Sequence, residues 1–247
     1  MNKKKFEDIT LGIVTPMANE RETAIDFVRE LLLECKKFKF KSISFYVVFD
    51  NICTDGTYEM LLDYAKKEPQ LKVVFASENR SVVDAYVRGY SEAYKSNCDW
   101  ILEIDAGFSH QINEIERFFN KMILNFDCVF GSRFIKDGLY ENAPLSRYIL
   151  SRGGSVLVNL IMGTKLKDMT SGFELFSNAV IGEILEKEVI QSKNTFFQTE
   201  IRTYCHKFNI AEIPITYSNP SIKNTGGAIN DALKSLYSLR RFKSIIR

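Results

Sequence analysis

With 247 residues, 45% of them hydrophobic and 26% charged, the chain is long enough to bury a full core and too apolar to be disordered. A formal net charge of +2, with no basic face interleaved with aromatics in the body of the sequence, argues against nucleic acid as a partner. Cysteines at 35, 53, 98, 128 and 205 are never spaced as CxxC, which points to a reduced, cytoplasmic protein; no signal peptide and no run of about 18 apolar residues is found, so membrane contact is expected to be peripheral.

Strand and helix alternate from the start. A strand over 11–15 runs into Pro16, Asn19 and Glu20, after which Ile25, Val28, Leu31, Leu32 and Cys35 recur at helical spacing. Residues 43–49, ISFYVVF, are apolar nearly throughout, as in a strand covered on both faces, and stop at Asp50 with Asp55 and Gly56 beyond. A helix is predicted over 58–67, a strand over 72–76 and a helix over 82–96. The apolar strand from Trp100 stops at Asp105 and passes through Gly107 into a polar turn; a helix over 113–125 and a strand over 128–130 follow, the latter running into Gly131, Ser132 and Arg133. Strands alternating with helices predict a mostly parallel sheet, its polar carboxyl ends on the one edge where open α/β sheets take ligands.

Beyond Arg133 the texture changes. Residues 134–144, with Gly138, Asn142 and Pro144, read as a loop, and 146–162 as an amphipathic helix carrying Arg147 and Arg152. Asp168, Met169, Thr170, Ser171 and Gly172 precede a short FELF strand; a helix over 195–207 leads to an alternating strand over 211–217, expected near a sheet edge. A polar stretch and a last helix over 229–246, rich in Lys, Arg and apolar residues, divide the chain into a domain over 1–217 and an extension over 218–247. That last helix is the segment expected to meet anionic lipid, the alternative being a solvated face.

The segments IVTPMANER, DNICTDGT, EIDAGFSH, FGSRF, SRGGS and DMTSGFELFS fall in the order of the motifs of family 2 glycosyltransferases. Over roughly 11–217 the chain resembles the polyprenyl-phosphate (dolichyl-phosphate) mannose and glucose synthase branch. The resemblance implies a GT-A fold and inverting transfer of a hexose from a UDP- or GDP-sugar to a polyprenyl phosphate at the cytosolic membrane face. By position in the family pattern, Asp50 reads the base, Pro16 and Glu20 line the nucleotide site, and Asp105 with Ser109 holds Mg²⁺ or Mn²⁺. Arg133, Arg147 and Arg152 are the implied cradle for the acceptor phosphate, and Asp168 with Ser171 shapes the acceptor loop.

The chemistry calls for these residue types. A departing diphosphate gathers negative charge that a divalent cation or fixed arginines must meet, and a hard cation takes carboxylate oxygen. A phosphate acceptor is already an anion and needs guanidinium forks rather than a general base.

Against the family pattern, Gly107 stands where a second metal-binding Asp is usual, Ala18 where a tyrosine is common, Asn51 for an Asp, residues 81–83 (Ser-Val-Val) for a glycine-rich turn, and Glu174 for the Arg of SGFR. Glu103 shares the face of Asp105 and is a candidate replacement ligand, with a structural pairing inside the fold as the equal alternative. Transfer to a sugar hydroxyl is the runner-up reaction; it requires a carboxylate base, for which Asp168 or Glu174 is the candidate. A non-catalytic nucleotide-sugar binder is the competitor from another class. His110 and His206 are too far apart to suggest a zinc site and are expected to make ordinary packing or polar contacts.

Overall fold

The computed structural model describes residues 5–218, so the polar stretch after Ser218 and the expected basic helix over 229–246 lie outside the described residues. Seven strands form one sheet in the order β3-β2-β1-β4-β7-β5-β8. They are β1 (Thr10–Pro16), β2 (Ser42–Phe49), β3 (Leu71–Phe75), β4 (Trp100–Ile104), β5 (Cys128–Ser132), β7 (Phe173–Ser177) and β8 (Ile210–Pro214). A two-stranded ribbon pairs β6 (Leu139–Tyr140) with β9 (Thr216–Tyr217). The helices are α1 (Ala24–Lys36), α2 (Thr57–Tyr64), α3 (Val82–Lys95), α4 (Ile115–Met122), α5 (Leu145–Met162), α6 (Asn178–Glu186) and α7 (Phe197–Cys205).

β1 runs parallel to β2 and β4, β2 to β3, and β5 to β8, as the alternation of strand and helix predicts. The exception is β7, antiparallel to both neighbours, β4 and β5. Successive strands leave β1 in opposite directions across the sheet, β2 on one side and β4 on the other, which opens a crevice at their carboxyl ends.

Two further departures concern the rim. Residues 134–144 are not wholly loop, because β6 lies within them. The single strand expected over 211–217 divides at Ile215, whose N–H reaches Ser132 O of the main sheet while its carbonyl accepts from Leu139 at the ribbon. Helix α6 went unread in the sequence, although Val180, Ile181 and Ile184 supply its buried face.

Alternation along the strands sends residues into two apolar layers. Leu102, Ile104, Phe173 and Leu175 pack with Phe27 and Leu31 of α1 and with Phe118 and Phe119 of α4. Ile101, Phe130 and Phe176 pack with Tyr86 and Tyr90 of α3, Ile181 of α6 and Ile201 of α7. Glu103, in alternation with Ile101, and Glu174, in alternation with Phe176, therefore point into the second layer.

Helix α3 is pressed onto β1. A β-carbon on Gly89 would lie 2.3 Å from Val14 Cγ1, and one on Gly12 would lie 3.0 Å from the Ala93 β-carbon. Gly89→Ala is accordingly expected to destabilise by about 1–3 kcal/mol, because the overpacking exceeds the gain in helix propensity. A lower urea midpoint at unchanged slope is the readout; an unchanged midpoint would show that the helix gives way freely.

Candidate active site

Because β1, β2 and β4 are parallel neighbours, Pro16, Asp50 and Asp105 emerge at the same edge of the sheet. The turns after β1 and β2 are clipped together. Asn19, in the left-handed region at φ 56°, donates to Ile52 O at 3.0 Å and accepts from Thr54 N–H at 2.9 Å. Arg21 N–H donates to Asp55 at 3.1 Å, and Glu20 N–H to Thr57 Oγ1 at 3.0 Å. Asp50 is buried and its Oδ1 accepts the Ile52 N–H at 2.9 Å, the carboxylate ordering its own turn. The turn after β4 joins this wall through Gly107, at φ +80°, whose β-carbon position lies 3.4 Å from both carboxylate oxygens of Glu20.

Asp105 stands at the tip of β4 with its side chain 40% exposed. Its Oδ1 accepts the phenol O–H of Tyr86, a residue of α3 that no sequence motif singles out. Burial, and then the negative charge of Asp105, push the Tyr86 phenol well above its ordinary range, so it stays a donor. Oδ2 faces His110 Nε2 at 3.6 Å, and neither ring nitrogen of this buried histidine has a hydrogen-bond partner among the described residues. Ser109 is half-buried beside them, its carbonyl accepting from Ser218 N–H at 2.8 Å. His206 is ordinary, its Nδ1 2.8 Å from Thr203 O.

From His110 the site continues through aromatic rings to the arginines. The His110 ring lies 4.8 Å from that of Tyr217, Tyr217 lies 5.7 Å from Tyr140, and the Arg133 guanidinium sits over Tyr140 at 4.6 Å and over Phe134 at 5.1 Å. Arg152 covers the same Phe134 ring at 5.4 Å and donates to Lys167 O at 3.0 Å. Arg147 is half-buried on α5, close enough for its charge to oppose the rise in the Tyr217 pKa that burial and then the charge of Asp105 bring about. Asp105 and the three arginines thus border one continuous region.

The role expected for Arg133 needs correction. Its side chain is buried, Nε and Nη2 grip the two oxygens of Asp168 at 2.8 and 2.9 Å, and Nη2 also donates to Thr170 at 2.6 Å. A guanidinium so engaged builds the turn over 168–172 rather than presenting an open fork. Asp168 is likewise buried; burial alone would raise its pKa, but the charge and hydrogen bonds of Arg133, helped by Arg202, outweigh this and hold it well below the usual carboxylate range. It is a structural anchor and no candidate base.

Glu174 and Glu103 meet the same fate. They face each other across β4 and β7, both fully buried. Glu174 is paired with Arg202 of α7 at 2.5 Å, and Arg202 also donates to the carbonyls of Asp168, Gly131 and Ser171. Glu103 accepts from Tyr90 O–H and Gln198 Nε2. Burial raises both carboxyls above their ordinary range, opposed at Glu174 by Arg202 and reinforced at Glu103 by the charge of Glu174. Of the two readings of Glu103, the structural pairing is the one observed. Arg202, which occupies the interior beside the β7 position where the family carries its Arg, was missed because a helix arginine ordinarily reads as solvated.

A doubly flanked, mostly parallel sheet with a carboxylate at the switch-point crevice and arginines across it is the arrangement of a GT-A nucleotide-sugar transferase. The sequence model described as "Glycosyl transferase family 2" matches residues 12–185, and the chain belongs to that family of enzymes. Among curated proteins it is similar to the polyprenol monophosphomannose synthase of Mycolicibacterium smegmatis, 24% identical over 227 residues covering 90% of this chain and 83% of that one. It is also similar to the undecaprenyl-phosphate mannosyltransferase of Micrococcus luteus, 28% identical over 192 residues covering 76% and 78%. Among solved structures, glucosyl-3-phosphoglycerate synthase from Mycobacterium tuberculosis in complex with uridine diphosphate superposes with a TM-score of 0.66 at 14% identity, covering 94% of this chain and 80% of that one. That likeness shows the fold.

Proposed function

We propose that this glycosyltransferase moves a hexose from a nucleoside diphosphate sugar to the phosphate of a polyprenyl lipid, with inversion. The observation that carries this reading is the locking of Asp168 by Arg133 and of Glu174 by Arg202. The two carboxylates on which a hydroxyl acceptor would depend are buried in ion pairs, whereas a phosphate monoester attacks without losing a proton to the enzyme. The names of the curated relatives, both lipid-phosphate mannosyltransferases, point the same way.

On this reading the turns carrying Pro16, Glu20 and Asp50 hold the nucleotide, and Arg147 and Arg152 draw the acceptor phosphate to the rings around Tyr217. An acceptor oxygen bonds to the anomeric carbon as the bond to the diphosphate breaks, and the nucleoside diphosphate leaves with the bonding pair. Asp105, its side chain 40% exposed and its Oδ2 3.6 Å from His110 Nε2, fits a divalent cation, with Ser109 adjacent. Such a cation, when bound, neutralises charge on the leaving diphosphate. Mn²⁺ accompanies the nucleotide sugar in one complex of the Mycobacterium tuberculosis enzyme, which supports a metal here.

A lipid acceptor implies a membrane surface. Helix α5 exposes Leu145, Ile149, Val156 and Leu160, spaced to form one stripe, and carries Arg147 and Arg152 but no acidic residue. Leu145→Glu with Leu160→Glu is expected to reduce sedimentation with phosphatidylglycerol vesicles severalfold, and undiminished sedimentation would remove α5 from the docking face.

The activity itself is tested by offering UDP- and GDP-hexoses with either a polyprenyl phosphate or a glycan bearing free hydroxyls, scoring nucleotide release and product. Lipid-linked hexose is expected. Release that requires the glycan would overturn the proposed acceptor, and tight nucleotide binding without release would identify a binder.

A further inference from the structure

We infer that His110 is a second protein ligand of the divalent cation, taking up through nitrogen the coordination that Gly107 cannot supply. The inference rests on the reading of Asp105 as the cation's anchor. His110 is 1% exposed, yet neither Nδ1 nor Nε2 has a hydrogen-bond partner among the described residues. Buried polar atoms are rarely left so, since each lost bond costs about 1–3 kcal/mol, and a bound ion is a recognised way of satisfying them.

The geometry identifies which ion position. At 3.6 Å, His110 Nε2 and Asp105 Oδ2 are too far apart for a hydrogen bond. A single cation held by nitrogen and oxygen at about 2.1–2.2 Å each sets those two atoms about 3.0–3.6 Å apart, as the angle opens from a right angle to tetrahedral. Asp105 Oδ1 is already engaged by Tyr86, which turns Oδ2 toward the shared position. The imidazole is held from moving by Phe173 at 5.0 Å and Tyr217 at 4.8 Å between ring centres. Position 107 disfavours the usual remedy, because its φ of +80° strains any side chain and a carboxylate there would meet the like charge of Glu20, whose oxygens lie 3.4 Å from the β-carbon position. A carboxylate paired with imidazole also moves preference from Mg²⁺ toward transition metals.

The test is pulsed electron paramagnetic resonance of Mn²⁺ bound to the full chain with UDP or GDP. Direct coordination gives a ¹⁴N coupling that changes on selective ¹⁵N-histidine labelling, a readout that needs no substitution. His110→Ala is expected to abolish the coupling and weaken Mn²⁺ binding in the nucleotide complex about tenfold, with metal-free nucleotide affinity unchanged. Bound Mn²⁺ without histidine coupling in the wild type would overturn the assignment of His110 while leaving the transferase reading intact. Failure of Mn²⁺ to bind with either nucleotide would overturn both the cation anchor and this ligand.

Discussion

Asp105→Asn is expected to slow sugar transfer by about a hundredfold to a thousandfold while leaving the melting temperature nearly unchanged. The side chain is 40% exposed, and among the described residues its hydrogen bond comes from Tyr86, a donor that the amide oxygen can still receive. What the substitution removes is negative charge at the strand tip, and with it the attraction for a cation that must be strongest as the diphosphate departs. Steady-state turnover gives the size of the effect, and titration with nucleotide in the presence and absence of Mn²⁺ gives its origin. The metal-dependent part of the affinity is expected to vanish and the remainder to persist. Transfer within a few-fold of wild type would show that Asp105 is merely a turn residue.

Arg202→Met is expected to destabilise the protein by about 3–5 kcal/mol, because removing one member of a buried ion pair leaves the other charge uncompensated. The loss extends beyond Glu174, since the guanidinium also serves the carbonyls of Asp168, Gly131 and Ser171 and lies over the Phe130 ring at 4.7 Å. Adding Glu174→Leu to Arg202→Met should recover part of the stability, and a double variant weaker than the single one would contradict this account.

The same cluster sets a pH dependence. Two buried carboxyls sharing one arginine take up protons on folding, so their folded pKa values lie above the unfolded ones, that of Glu174 at about 7 and that of Glu103 raised by burial and by Glu174. Their stabilising contribution is full in acid, below the unfolded values, and is lost as pH rises through the folded ones. Urea midpoints should therefore fall as pH rises from about 4.5, the ordinary glutamate value, through about 7, where folded Glu174 titrates, and Glu103→Gln, which keeps the shape and carries no charge, should flatten the decline. An equally steep decline in that variant would place the titration elsewhere.

Much of this architecture could be read from the chain because buried strands announce themselves: ISFYVVF and WILEI are apolar nearly throughout, and each runs directly into an aspartate at its carboxyl end. Strand direction is not written in such a pattern, which is why the reversal of β7 came only with the structure. Arg133 was legible as a residue at a strand end, but its burial depends on Asp168, 35 positions further on. Arg202 and Tyr86 left no local trace at all, since a helix arginine or tyrosine acquires its role from whatever strand it is packed against. For the nucleotide side the turns over Asn19 and Asp50 were signalled by their own polar residues, and the structure adds the bonds that tie one to the other.

The reversed strand has a consequence for synthesis. Since β4 and β5 are joined through β7, a nascent chain that has formed β3-β2-β1-β4 displays a bare border along WILEI, apolar but for Glu103, until residues some seventy positions later leave the ribosome and cover it. Partly translated molecules are the form of this protein most prone to pair with one another. Chaperone capture during translation should accordingly be densest between the emergence of Ile104 and that of Ser177.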